Sequence, residues 1–179
     1  IKFTRNLDGS VKLDKFENMS EDKHVVVRFT ANPAEVIVHH YIDGTTTPVP
    51  MPDGSTAQNE IIYGEVDQSY TTNPKTDLGK YELVTSKMPA NANGTMTAET
   101  INVTYYYQLK DAKVIVHHYL NETTTPVPLP DGTTVQDEEI NGKIDEQYTT
   151  QPKDLEKYEV VEEKLPTNAE GQMTIDKII

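Results

Sequence analysis

The sequence has no cysteine and no tryptophan, and only three phenylalanines in 179 residues. Without cysteine there is no disulfide, no zinc–thiolate site and no thiol nucleophile, although the compartment stays open. Basic residues are also scarce. Sixteen Lys and Arg face 29 Asp and Glu, for a net charge of −13 and a pI near 4.7. Nucleic-acid binding needs clustered cations to neutralise phosphates, so that function class is excluded. No apolar run approaches the ~20 residues of a membrane helix, so no membrane insertion is expected. Apolar residues make up 35% and mean hydropathy is −0.62, which implies a thin core. Ile1 opens a polar segment, not the basic–apolar–small pattern of a leader peptide, and the chain reads as part of something longer.

What the sequence does have is a repeat. The segment A-E-V-I-V-H-H-Y starting at Ala34 returns as A-K-V-I-V-H-H-Y at Ala112. The spacing is 78 residues and drops to 77 after one extra residue, Thr76. About 41 of 68 aligned positions are identical, and the period exceeds that of solenoid units. Each copy is large enough to fold alone, though close to the lower limit. The expected domains are residues 34–111 and 112–179, as beads in series. Residues 1–33 differ: they hold every phenylalanine, both arginines and no tyrosine. Val25–Thr30 nevertheless aligns with Val103–Gln108, so residues 1–33 read as the C-terminal part of an upstream, divergent module. The second copy stops at Ile179, before a counterpart of Val103–Tyr107, so its closing strand is missing.

Long helical periodicity is absent. Thr, Val, Ile and Tyr punctuated by Pro, Gly, Asn and Asp predict strands and turns. Strand one is expected over Val36–Ile42 and again over Val114–Leu120. Further strands are expected over Gln58–Tyr63, Tyr81–Lys87 and Thr100–Tyr107. Gly64–Thr72 reads as a turn with one short helical turn, and Asn91–Gly94 as a loop. Asp53-Gly54 and Asp131-Gly132 mark turns. Pro48, Pro50 and Pro52 lack a ladder donor and are assigned to an edge or extended loop. Alternation puts Val36, Val38, His40 and Ile42 on one face and Ile37, His39 and Tyr41 on the other. In the last strand Val103, Tyr105 and Tyr107 oppose Thr104 and Tyr106. Only Gln108–Asp111 separates the copies, which favours a stiff, extended string.

Four blocks occur in fixed order: V-x-V-x-x-Y, G-x-[VI]-D-x-x-Y-T-T at Gly64–Thr72 and Gly142–Thr150, K-Y-E-[LV] at Lys80–Leu83 and Lys157–Val160, and N-G-T-M-T with V-T-Y-Y-Y at Asn93–Thr97 and Val103–Tyr107. Together they resemble the MucBP (mucin-binding protein) repeats of Gram-positive bacterial surface proteins. The resemblance covers nearly all of residues 34–179. It implies small β-grasp-like (ubiquitin-like) modules, mainly β, arranged end to end as an elongated rod, in a secreted, cell wall-anchored adhesin. The family's V-D-x-x-G after strand one is reduced here to Ile42-Asp43-Gly44 and Leu120-Asn121-Glu122. The family has no catalytic residue to map.

Two histidine pairs attract attention, His39-His40 and His117-His118. Adjacent strand residues point to opposite faces, so neither pair can chelate one metal, and strand packing is the expected role. His40 and His118 share a face with valines, so protonation below about pH 6.5 is expected to loosen the modules. A glycosidase needs two opposed carboxyls in a cleft, one held protonated. Acidic positions shared by both copies are few (Asp53/Asp131, Glu60/Glu138, Asp67/Asp145, Asp77/Asp154 and Glu82/Glu159), and solvated surface charge explains them. No nucleophile-elbow, Walker-type or H-E-x-x-H motif is present, and Asp43-Gly44 and Asp53-Gly54 are too sparse for a calcium loop. No catalytic activity, cofactor or metal is expected.

The aromatic residues make the better candidate site. If the first and last strands are neighbours, Ile37, His39 and Tyr41 form one outward stripe with Thr104 and Tyr106. Sugars stack on aromatic faces and hydrogen-bond to polar tips. The expected ligand-binding residues are His39, Tyr41, Tyr106, His117 and Tyr119, with a host glycan or mucin-like glycoprotein as partner and a monomeric chain. The competing reading is a spacer in which the same residues only cover the sheet.

Overall fold

The computed structural model describes residues 3–5, 11–13 and 26–175, the first two segments by their backbone pairing alone. The chain divides into two compact units, Ile1–Ala31 and Asn32–Ile179. In the first, β1 (Phe3–Arg5) and β2 (Val11–Leu13) pair antiparallel. Val25, the start of the segment aligned with the closing strand, lies outside the described residues. Residues 26–30 form no strand, and Val26 and Phe29 are largely exposed.

The second unit is mainly β, with no α-helix among the described residues. Its strands are β3 (Pro33–Ile42), β4 (Glu60–Glu65), β5 (Ser69–Thr71), β6 (Tyr81–Leu83), β7 (Asn93–Thr95), β8 (Ile101–Leu109), β9 (Asp111–Val116), β10 (Glu138–Lys143), β11 (Gln147–Thr149) and β12 (Glu170–Gln172). The first copy builds a four-stranded sheet in the order β4-β3-β8-β6. At its centre β3 and β8 run parallel, with His39 beside Thr104 and Tyr41 beside Tyr106. A parallel pair needs a long crossover. Here β5, β6 and β7 make that crossover, with a 3-10 turn at Thr85–Lys87, and β5 and β7 form a separate small ladder.

The inward stripe builds the core. Val36, Val38 and Val103 are fully buried, as are Tyr105 and Tyr107. Each such side chain contributes roughly 1.5–3 kcal/mol. Val49, from the proline-rich segment, completes this cluster with Ala57, Leu78 and Met96. Pro48 and Pro50 join isolated bridges to Tyr41 and Thr56, the edge role their missing donors allow. Gly64 is required by close approach, because a Cβ there would lie 2.6 Å from Met96 Sδ.

Several expected boundaries move. Gly64–Thr72 holds no helical turn. β4 runs to Glu65, the chain reverses at Asp67 (φ 71°), and Ser69–Thr71 is a strand. The loop expected over Asn91–Gly94 runs into β7 at Asn93, since the backbone of Asn93–Thr95 satisfies that of β5. The strand expected over Tyr81–Lys87 ends at Leu83: Val84 N still donates to Tyr106 O of β8, and the chain then tightens into the 3-10 turn.

The second copy repeats parts of this plan with its own smaller core of Val114, Tyr148 and Met173. Tyr148 reproduces Tyr70: each hydroxyl donates to a backbone oxygen at 3.0 Å, of Asn168 and Asn91 respectively. The strand expected over Val114–Leu120 stops at Val116. Among the described residues β9 pairs with β10 alone, whereas β3 is flanked by both β4 and β8. The connection between copies is shorter than expected, since only Lys110 separates β8 from β9. Lys110 N donates to Lys80 O, and Ile144 N donates to Lys110 O. Lys80 also forms an ion pair with Asp145.

Candidate functional site: an outward aromatic stripe

Strand alternation and the parallel β3–β8 pair bring Ile37, His39 and Tyr41 alongside Asn102, Thr104 and Tyr106. All but exposed Asn102 are half-buried. The rings of His39 and Tyr41 stack, with centroids 5.3 Å apart and planes at 24°. Polar groups hold the imidazole. Nδ1 lies 2.9 Å from the Tyr41 hydroxyl and 3.0 Å from Asn59 Oδ1, and Nε2 lies 2.9 Å from Asn102 Oδ1. The pair recurs in the second copy. His117 stacks on Tyr119 at 5.4 Å and 10°, and its Nδ1 lies 2.8 Å from Asp137 Oδ1.

Tyr106 borders an open depression of about 740 Å³ beside Thr45, Thr46 and Thr47. On its wall the Lys87 ammonium donates to both oxygens of Asp43, at 2.7 and 2.8 Å. An aromatic face, threonine hydroxyls and an ion pair thus share one rim. The structure therefore groups His39, Tyr41 and Tyr106 on one face, and His117 and Tyr119 on the corresponding face of the second copy. Sequence reasoning missed Asn59, Asn102 and the depression's residues. The threonine run, repeated at Thr123–Thr125, was the signal for part of it.

The inward histidines behave differently. His40 is 1% exposed. Its Nδ1 lies 2.9 Å from the Tyr107 hydroxyl and its ring stacks on Tyr105. Its Nε2 has no hydrogen-bond partner, with Glu60 Oε1 at 3.6 Å. Burial, helped by the Lys75 ammonium and the neighbouring His39, holds the His40 pKa below its usual 6.5 and outweighs the attraction of Glu60. Burial also lowers His118, against Glu138 and Asp137. The unfolded chain then takes up protons near pH 6.5 that the folded chain resists. Stability is complete above pH 6.5 and falls as the pH drops through that value toward the folded pKa. Urea midpoints measured from pH 7.5 to 5.0 are expected to decline on the acid side of 6.5. A flat profile would refute this coupling.

Four of the shared carboxylates, Asp53, Asp131, Glu60 and Glu138, are held below the usual carboxylate range. The Ser55 and Thr133 hydroxyls donate to Asp53 and Asp131 and keep both carboxyls low. Ion-paired hydrogen bonds from Lys75 and Lys153 do the same for Glu60 and Glu138. Among the described residues no three His, Asp or Glu side chains converge as a metal site.

Comparison with known proteins agrees with the internal repeat. The MucBP domain model matches residues 35–108 and again residues 113–177. This chain belongs to the MucBP domain family. Internalin J of Listeria monocytogenes serovar 1/2a (strain EGD-e) is 33% identical over 143 residues, which covers 78% of this chain and 14% of that protein. Internalin J of serotype 4b (strain F2365) is 28% identical over 139 residues, covering 76% and 13%. The MucBP chain described here thus spans about a seventh of the length of these relatives. The matched intervals meet at residues 109–112, where the Lys110 junction lies.

Proposed function

We propose that these MucBP modules are β-grasp-like repeats of an extracellular, cell wall-anchored bacterial adhesin, and that they hold host glycan or mucin weakly and multivalently. The observation that carries this reading is the outward His-Tyr stack, which recurs in both copies with ring centroids 5.3 and 5.4 Å apart. A pyranose ring can lie on Tyr41 or Tyr119 while its hydroxyls meet the imidazole edge and neighbouring amides. Tyr106 and the threonine-lined depression extend the surface in the first module. One such site is weak. Repetition multiplies avidity by ~10²–10⁴ where the geometry permits simultaneous contact. The family's description and the likeness to Internalin J support a surface setting.

The test is mucin and glycan-array binding by the 179-residue chain against its Tyr41→Ala/Tyr119→Ala variant. A loss of at least ~10-fold is expected, with circular dichroism and melting preserved because both rings are partly exposed. Absence of binding by the parent chain at high concentration would sink this reading. It would leave a stalk that projects another domain. The alternative has its own observation: Lys110, Lys80 and Asp145 fasten the two copies with almost no slack.

A further inference from the structure

The first module ends its sheet on β4, an edge strand. Alternation turns Ile61, Tyr63 and Glu65 to the outward face, on the side that carries Glu35 of β3. Glu35 lies directly opposite Tyr63 in the ladder. Tyr63 is 73% exposed and Ile61 47%. Beside them is an open depression of about 300 Å³, lined by Pro33, Ala34, Glu35, Tyr63, Ala98 and Thr100. The Thr100 hydroxyl donates to Glu35 Oε1 at 2.9 Å. Among the described residues no ion pair joins Glu35 or Glu65 to a cation. Tyr41 lies six residues further along β3, about 20 Å away at roughly 3.3 Å per residue, so this surface is separate from the His-Tyr stack.

The second copy covers the same face with charges of its own. The counterparts of Glu35 and Ile61 are Lys113 and Glu139, and Lys113 Nζ donates to Glu139 Oε2 at 2.8 Å. The counterparts of Pro33 and Glu65 are Asp111 and Lys143, which form a second ion pair at 2.6 Å across the same two strands. Tyr63 is matched by Asn141. Both lysines of this face in the second copy are therefore glutamates in the first, and a glutamate and an asparagine are replaced by an isoleucine and a tyrosine. Charged side chains, lysine above all, keep other chains off a sheet edge. The first module has lost that guard.

We propose that the outward edge of β4 is a docking site for an extended basic segment of a partner polypeptide, in which Lys or Arg alternates with apolar residues. A cation seated on the Tyr63 ring is attracted by its aromatic face and forms charged hydrogen bonds to Glu35 or Glu65. An apolar neighbour covers Ile61, and the segment's main chain pairs along β4. The partner thus supplies from outside the positive charge that Lys113 and Lys143 supply from within in the second copy. A second copy of this chain is a poor occupant, because each carries a net charge of −13 and like charges repel. The proposal does not rest on glycan binding, so the two can fail separately.

The probe is the capped peptide Lys-Val-Lys-Val-Lys-Val-Lys, titrated at low salt into the ¹⁵N-labelled chain. Saturable shifts are expected at Glu35 and along β4, weakening as salt is added. Tyr63→Asn leaves the charge unchanged and installs the residue found in the second copy. It is expected to weaken binding about 2–5-fold, the share of one exposed cation–aromatic contact. The double variant Glu35→Lys/Ile61→Glu installs the ion pair of the second copy. It is expected to weaken binding at least ~10-fold, with the spectrum elsewhere unchanged. Four results would overturn the proposal: no saturable shift at β4, shifts centred instead on β10, an equal response to Glu-Val-Glu-Val-Glu-Val-Glu, or undiminished binding by both variants. Self-association through β4 without peptide would also overturn it, by assigning the face to a second copy.

Discussion

Replacing Tyr105 with Ala is expected to cost the first MucBP module about 3–5 kcal/mol, the range for deleting a large buried aromatic. Tyr105 is 1% exposed. Its ring stacks on His40 at 5.7 Å with planes at 10°, and its hydroxyl meets Thr72 Oγ1. Deletion opens a void between β8 and the residues of the crossover, and a sheet tied to the rigid β3–β8 pair cannot collapse into it. A module of this size holds only about 5–10 kcal/mol in total, so most of its stability is at stake. Urea unfolding followed by tyrosine fluorescence and amide exchange will show which copy responds. The expected result is loss of protection in β3, β4 and β8, with β9–β10 changed by less than ~0.5 kcal/mol. Equal loss in both copies would mean that their cores are coupled.

Tyr107→Phe keeps the ring and removes one oxygen, yet a loss of about 2–4 kcal/mol is expected. The Lys75 amide donates to that oxygen. The hydroxyl proton is therefore free to be donated to His40 Nδ1, which places the imidazole proton on Nε2, toward Glu60. Phenylalanine would strand the amide of half-buried Lys75 and a buried ring nitrogen together, at about 1–3 kcal/mol each. Burial pushes the Tyr107 phenol up to about 12, so the hydroxyl stays neutral throughout the accessible range. The measurement is denaturant stability at pH 7.5 with an NMR reading of the His40 tautomer. A loss below 1 kcal/mol, or a wild-type His40 protonated at Nδ1, would contradict the arrangement.

The inward and outward stripes of the central strands were legible in the sequence, because alternation alone separates Val36, Val38, His40 and Ile42 from Ile37, His39 and Tyr41. The structure's burial follows that division as far as His40, while Ile42, at the end of β3, is half-buried like the outward residues. The repeat was equally legible. Asn93–Thr95 was not, since N-G-T has turn composition and becomes a strand only because the β5 backbone lies beside it. The tail of Tyr81–Lys87 misled in the opposite way: its β-formers continue, yet the chain leaves β8 in the 3-10 turn at Thr85–Lys87 although β8 runs on to Ile101. Asn59 and Asn102 escaped notice because they flank His39 from different strands and share no local pattern with it.

The MucBP sequence by itself determined that one unit occurs twice, that its elements are strands, and which side of each long strand faces inward, since these are properties of spacing and side-chain period. Only the tertiary structure decided that β3 and β8 lie parallel and adjacent, which turns scattered His39, Tyr41 and Tyr106 into one surface. It also decided how long identical sequence stays a strand. V-I-V-H-H-Y lies wholly within β3 in the first copy, but the strand ends at Val116 in the second. A backbone remains extended only where a neighbour receives its hydrogen bonds, and β9 has a neighbour on one side alone among the described residues.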